Sequence, residues 1–334
     1  MTSLSLPESI QLSLEVIDTP GGLENIRQQW QRLYESCPWA TPFQSPDWLI
    51  PWWKHLGTGR LCTLASFAGN TLAGIAPLYI QDRRLFFLGT GASDYLDFVA
   101  GPEFGKQTAE LFVEYLMNST HHADSCDLQE IRAGSPLLSL NLRSLKHLCT
   151  PLSVCPVVEL PSSSEEYFSK KVVSPLRRTV RKAMKSMAPY RVEKAAPQSV
   201  PEFIEKFFLL HASRWKERNQ PGVLDRSQIQ SFHREVAQLF ASRGSLGLYG
   251  LWHQEQLAAI LYSFRKDGRV YAYLSGFDPG LEDLSPGALL IFHVIEDSIL
   301  QGAREFDFLR GNERYKSLWG ATETQSFRLE ISKE

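Results

Sequence analysis

Cysteine is scarce in this chain. Five residues occur (Cys37, Cys62, Cys126, Cys149, Cys155), an odd number with no Cys-x-x-Cys pair. A disulfide framework is excluded, and a reducing compartment, the cytoplasm, is the expected location. Long apolar runs are missing too. A membrane-spanning helix needs ~20 apolar residues, and the candidate stretches Leu85–Leu88 and Ala288–Ile295 fall far short. The first residues lack a basic segment, an apolar run and a small-residue cleavage site, so no signal peptide is expected. Charge of one sign is absent as well: 35 Lys and Arg stand against 37 Asp and Glu, a net −2. Any nucleic-acid contact must therefore come from a local patch. No GxxxxGK[ST], GxSxG, HExxH or dinucleotide-binding glycine pattern occurs, which removes the usual support for kinase, hydrolase, zinc-protease and dehydrogenase chemistry. His121, His122, Asp124 and Cys126 do not have a zinc-site spacing, and no metal is expected.

What is present is a weak internal repeat in 334 residues, a length suited to two domains. Residues 61–91 and 246–276 align without a gap at a shift of 185, matching Leu72 to Leu257, Leu85 to Val270 and Gly91 to Gly276. Each reads as strand, polar turn, strand, polar turn, strand. Each half then continues alike. The first has a helical pattern over 106–118 and a strand near Leu128–Arg132 ending at Gly134. The second has a helix from Pro286 to about Gln301, Gly302 as its stop, and a strand Glu305–Arg310. The pattern predicts a duplicated α+β module. A Pro/Ser-rich stretch, Pro151–Ser164, separates the halves. Ser174 as N-cap, with Pro175 at the first helical position, then opens a basic helix, and further helices start near Pro201 and after a Ser227 cap.

Five places could carry chemistry. Leu284-Ser285-Pro286-Gly287-Ala288 predicts a helix start with a Ser285 cap and uncovered amides, which suits a phosphate; on the residues alone a plain helix start is the commoner meaning. The strand Glu305–Arg310 puts Phe306, Phe308 and Arg310 on one face and Asp307 and Leu309 on the other. Arg310, Tyr315 and Lys316 converge past its end. A ligand site and a salt bridge from Asp307 to a basic neighbour weigh evenly here. His211, Arg214, Trp215 and Arg218 share a helix face that also reads as the end of a core stripe. The basic run Arg177, Arg178, Arg181, Lys182, Lys185 could meet phosphates of a nucleotide or tRNA, although a solvated helix face is the default meaning. Asp94 and Asp97 follow the glycine-rich bend Gly89–Gly91, where Asp94 could handle an amine proton or merely form a turn.

Taken in order, these segments carry a resemblance. Phe203 to His211-x-x-Arg214-Trp215, Tyr273-x-Ser275-Gly276-Phe277-Asp278, Ser285-Pro286-Gly287 and Phe306-Asp307-Phe308-x-Arg310-Gly311 with Tyr315-Lys316 and Trp319-Gly320 resemble bacterial GNAT-type acetyltransferases of the CelD-like, cellulose-biosynthesis kind. That family is similar to the Fem-type aminoacyl transferases, which are tandem GNAT modules. The resemblance implies two tandem GNAT-like modules, over 11–160 and 161–334, the second binding the acyl donor. It implies N-acyl transfer from acetyl-CoA, with no metal, to a small-molecule amine or amino-sugar acceptor of envelope or polysaccharide metabolism. Pantetheine would lie along Tyr273, Ser275 and Phe277, and pyrophosphate on Ser285, Gly287 and Ala288, although the usual R/Q-x-x-G-x-G/A loop is absent. Tyr315 would be the acid for the leaving thiolate, and Lys316 and Arg310 would neutralise phosphate or oxyanion. Asp94, His211, Arg214, Trp215 and Asp307 would serve the acceptor side. The alternatives are aminoacyl transfer from tRNA and a non-catalytic binding module.

Overall fold

The computed structural model describes residues 11–118, 123–140, 142, 146–217, 222 and 224–332. The chain forms two compact units, residues 1–152 with 327–334 and residues 153–326. In the first, β1 (Leu12–Ile17), α1 (Pro20–Ser36) and α2 (Pro46–Leu56) precede short β2 (Arg60–Leu61). Then come β3 (Thr63–Ala68), β4 (Thr71–Ala76), β5 (Leu78–Gln81), β6 (Arg84–Phe87) and β7 (Val99–Ala100). Helix α3 (Gly105–Asn118) and β8 (Ser125–Arg132) complete the series. The expected three-strand meander is split here. Pro77 follows β4, and its missing N–H ends the ladder, so β3 and β4 join a β1-β3-β4-β7 sheet while β5 and β6 pair within another. Buried Leu64, Phe87, Phe98, Phe112 and Leu128 form this unit's core.

Strand β9 (Lys146–Glu159) leads into the second unit. There follow a single turn α4 (Ser164–Glu166), α5 (Ser174–Ser186), β10 (Tyr190–Lys194), α6 (Val200–Glu217) and α7 (Ser227–Ser242). Strands β11 (Leu246–His253), β12 (Gln256–Lys266) and β13 (Arg269–Phe277) form the expected meander. Next come α8 (Pro286–Leu300), β14 (Glu305–Asp307), one turn α9 (Arg314–Ser317) and β15 (Thr322–Ser332). The strand order is β10-β11-β12-β13-β14-β9-β15. The meander turns need left-handed backbone, which Gln254-Glu255 supply without glycine at φ 47° and 63° and Asp267-Gly268 at 51° and 76°. Helices α5 and α8 cover one sheet face through Val180, Leu261, Val270, Leu290 and Phe306. Helices α6 and α7 cover the other, with Phe207 5.7 Å from Tyr262 and Phe240 4.7 Å from Phe264, ring to ring.

Three expected serine caps do not form. Ser174 and Ser227 are the first helical residues, and the Ser174 hydroxyl instead accepts from Arg177 at 2.7 Å. Ser285, at the start of α8, makes no cap either. Strand β14 stops at Asp307, three residues before its expected end.

Two predictions test this packing. A Cβ added at Gly276 would lie 3.1 Å from the His211 nitrogen and 3.2 Å from the Leu210 carbonyl carbon, both backbone atoms of α6. Gly276→Ala should therefore cost about 1–3 kcal/mol and lower the melting point by several degrees; an unchanged melt would show that α6 is free to retreat. In the first unit, Asp97 is buried and accepts from the Phe98 amide at 2.9 Å. Burial outweighs that bond, Ser135 and Arg132, and pushes the carboxyl up to about 7 from an ordinary 3.8. Between those values the folded chain holds a proton that the unfolded chain has released. Stability contributed by this group therefore falls as pH rises through the window and levels off above it. Asp97→Asn should remove that slope, and coincident slopes for the two proteins in pH-dependent melts would refute the assignment.

Candidate functional site

The site grows from one parting of strands. β13 and β14 run parallel for three residues, Arg269–Tyr271 against Glu305–Asp307. β13 then continues to Phe277, while the other chain leaves it. The Asp307 carboxylate accepts from the Leu309 amide at 2.8 Å, and Leu309 takes φ 57°. Phe308 and Gly311 next donate their amides to the Pro156 and Val154 carbonyls of β9, at 2.9 and 3.0 Å. A wedge opens beside residues 272–277, whose other edge is paired with β12. A bulge at Tyr273 interrupts that pairing register. Asp307 is fully buried, with Arg269 Nη1 3.7 Å away. Arg269, upstream on β13, is thus an ion-pair partner of Asp307 that the sequence did not suggest. The alternation expected through Arg310 also ends here, although Phe306 and Phe308 still meet edge-on at 5.0 Å.

The start of α8 stands beside this wedge. Ser285 adopts left-handed φ 56°, ψ 47°, and its side chain makes no cap, contrary to expectation, because that backbone turns it away from the first helical amides. Its own amide bonds to the Glu282 carbonyl at 2.9 Å. Pro286 has no N–H. The Gly287 and Ala288 amides are first-turn groups without an intrahelical acceptor, and no side chain covers them among the described residues. A Cβ at Gly287 would touch only Phe277, at 3.7 Å. Tyr273, Ser275 and Phe277 are half-buried along the same strand. The structure therefore brings Phe277 to Gly287 and sets the Tyr273–Phe277 strand against the bare helix start.

Past the wedge, Tyr315 is 41% exposed, with its ring edge-on to Phe308 at 6.2 Å. Lys316 is buried. Its ammonium donates to the carbonyls of Arg310 (2.6 Å), Gly311 (3.2 Å) and Leu309 (3.3 Å) and pairs with Glu313 at 2.9 Å. It is thus the peg of the loop that carries half-exposed Arg310 and Tyr315.

His211 is buried on α6 behind Gly276. Arg214 and Trp215 lie on the same helix, but their side chains, and Arg218, His121 and His122, lie outside the described residues. His233 of α7 escaped sequence reasoning because Phe232, Val236 and Ala237 around it read as a plain core stripe. Its ring is 5.8 Å from Tyr262 and 5.7 Å from Tyr273. Burial, with the nearby His211, lowers its pKa to about 3, so it is neutral at ordinary pH. The Tyr262 hydroxyl is buried beside it with no hydrogen-bond partner among the described residues.

The first unit holds the same parallel pair with a different outcome. β6 and β8 pair over Arg84–Leu85 and Ser125–Cys126. The Leu96 amide then donates to the Glu130 carbonyl at 2.9 Å, and the Gln44 side chain donates to the Tyr95 carbonyl at 2.7 Å. This unit's own chain fills its wedge. Asp94 is buried in that filling segment. Among the described residues, no group of three or more His, Cys, Asp or Glu could hold a metal, and no helix is long and apolar enough to cross a membrane.

No curated relative matches the sequence. Solved structures do match in fold. FemX is 12% identical, covering 91% of this chain and 95% of that one, with a TM-score of 0.65. The C-terminal domain of a putative lysylphosphatidylglycerol synthetase from Agrobacterium fabrum is also 12% identical, covering 93% of each chain, with a TM-score of 0.62. A tandem GNAT protein from the clavulanic acid biosynthesis pathway is 11% identical over 96% of this chain and 99% of its own, with a TM-score of 0.51. The chain thus has the tandem GNAT fold, and residues 170–317, which include the open wedge, match the acetyltransferase (GNAT) domain.

Proposed function

We propose that the second unit is an N-acyltransferase that takes its acyl group from a pantetheine thioester, acetyl-CoA in the simplest case, and passes it to a small amine, an amino sugar being the first candidate. The observation that carries this reading is the open wedge between β13 and β14 beside the uncapped start of α8. Backbone groups of residues 272–277, which lie beyond the β14 ladder, can bond the amides of a pantetheine arm. The Gly287 and Ala288 amides and the helix dipole suit its phosphate. Tyr273, Ser275, Phe277, Gly287 and Ala288 are all partly exposed, which also supports access.

The transfer itself needs little from the protein. The amine nitrogen attacks the thioester carbonyl carbon, a C–N bond forms, and the C–S bond breaks. The amine gives up one proton and the departing thiolate takes one. We assign the thiolate's proton to Tyr315, which is exposed at the wedge end. Arg310 is placed to meet developing negative charge. Lys316 holds the loop carrying both, and Asp307 makes the turn that opens the wedge. His211, Arg214 and Trp215 are proposed for the acceptor side. Cytoplasmic location belongs to the same proposal.

The rival donor, an aminoacyl-tRNA, rests on the basic face of α5. Salt-sensitive tRNA binding with no response to acetyl-CoA would establish it; acetyl transfer without RNA would remove it.

Two measurements test the main reading. Saturating acetyl-CoA, at about 100 times its dissociation constant, should add ~2.7 kcal/mol and raise the melting point. Gly287→Asp should weaken that response at least roughly tenfold in affinity while raising intrinsic stability by about 0.3–1 kcal/mol, because an acid favours a helix start but repels a phosphate. Retained affinity would place the phosphate elsewhere. Separately, Tyr315→Phe should lower kcat by roughly 10²-fold with donor affinity unchanged; wild-type turnover, or ligand stabilisation with no turnover in either protein, would remove the assignment of Tyr315.

A further inference from the structure

The charge of this chain is unevenly spread. Residues 167–192 contain no Asp or Glu, while 170–191 contain eight Lys or Arg. That leaves 27 basic against 37 acidic residues elsewhere, a net −10. The structure turns this stretch into a surface. Leu176, Val180, Ala183 and Met187 are buried, and Arg178, Arg181, Lys182 and Lys185 are exposed on the opposite side of α5. Neighbouring cations are already engaged: Lys170 with Glu166, Arg177 with the Ser169 carbonyl and the Ser174 hydroxyl, Arg191 with Glu193. No acidic side chain pairs with the four exposed ones among the described residues. Like charges at such helical spacings repel one another, and a partner of opposite sign relieves that cost.

The stripe also has a location. α5 packs against α8 and against the 3-10 turn Pro279–Leu284 that leads into the α8 start. Arg181 lies over the Phe168 ring at 5.9 Å, and Phe168 meets Phe292, one turn beyond Ala288, at 4.7 Å. Helix α5, with Arg181 on its near side, therefore borders the donor site proposed above.

Size selects the partner. A 13-residue helix is about 20 Å long, more than one phosphate group needs. A long polyanion such as tRNA would spill onto a body that is net negative. A small domain with one acidic helix would not. Such domains exist among acyl donors: carrier proteins present an acyl thioester on the same phosphopantetheine arm that CoA carries, attached through a single phosphate, which matches the two amides of Gly287 and Ala288.

We propose that Arg178, Arg181, Lys182 and Lys185 dock a small acidic acyl carrier protein whose phosphopantetheine arm enters the wedge between β13 and β14. This rests on the pantetheine-thioester reading. The bonds made and broken are those already described, with the carrier's thiol as leaving group.

The test titrates the full chain with the acetylated holo form and the apo form of a bacterial fatty-acid acyl carrier protein. The acetylated form should bind more tightly than the apo form. Raising salt from about 50 to about 300 mM should weaken binding roughly tenfold or more. Replacing all four cations by Gln should do the same at low salt, with an unchanged or higher melting point and an unchanged shift on adding acetyl-CoA. No carrier binding at low salt, equal affinity of apo and acetylated forms, an unaffected quadruple variant, or tighter capture of a tRNA transcript through these residues would each overturn the proposal. Silence toward acetyl-CoA alone, with carrier binding intact and dependent on the four cations, would instead strike the acetyl-CoA assignment.

Discussion

One buried carboxylate shapes the region on which the rest depends. Asp307 ends β14 by accepting the Leu309 amide, and Arg269 offsets its charge in the interior. An unpaired buried carboxylate would be expensive. Here the partnership turns that cost into a fixed bend. Because the bend sends the following chain along β9, the last six residues of β13 extend beyond the β14 ladder. An open strand edge inside a sheet is ordinarily a liability. Its survival beside an uncapped helix start is what the proposed donor site rests on.

The two units share a plan and differ at this point. Both contain a short parallel pair followed by a parting. In the first, Leu96 and Gln44 provide hydrogen bonds for the segment that enters the gap. In the second, the gap stays open and the helix after the strand begins with Pro-Gly-Ala, residues too small to cover its amides. Duplication thus supplies one scaffold twice, and local chemistry fills the gap in the first copy and leaves it open in the second. The tightly anchored loop after Asp307, pegged by Lys316 on three carbonyls, keeps the far wall of that gap in place.

Much of the scaffold was legible in the residues. Alternating apolar runs bounded by Gln254-Glu255 and Lys266-Asp267-Gly268 predict the second meander, and Pro286 and Gly302 bracket α8. Pro77 was visible too, yet its effect on the first meander depends on which sheet each half-strand joins. The serine caps failed for a local reason: Ser174 and Ser227 fall one position inside their helices, and Ser285 is left-handed. The sequence suggested Lys316 for phosphate or oxyanion, and its anchoring on three backbone carbonyls was hidden because no side-chain pattern reveals such acceptors.

Periodicity and turn chemistry determined the α+β class, the repeated strand order and the helix starts, because these depend on neighbours within a few residues. Tertiary structure alone decided which wedge is open, that Asp307 answers Arg269, and that His233 meets Tyr262 and Tyr273 behind β13. Those outcomes join residues tens of positions apart, where burial and hydrogen-bond geometry outweigh local preference.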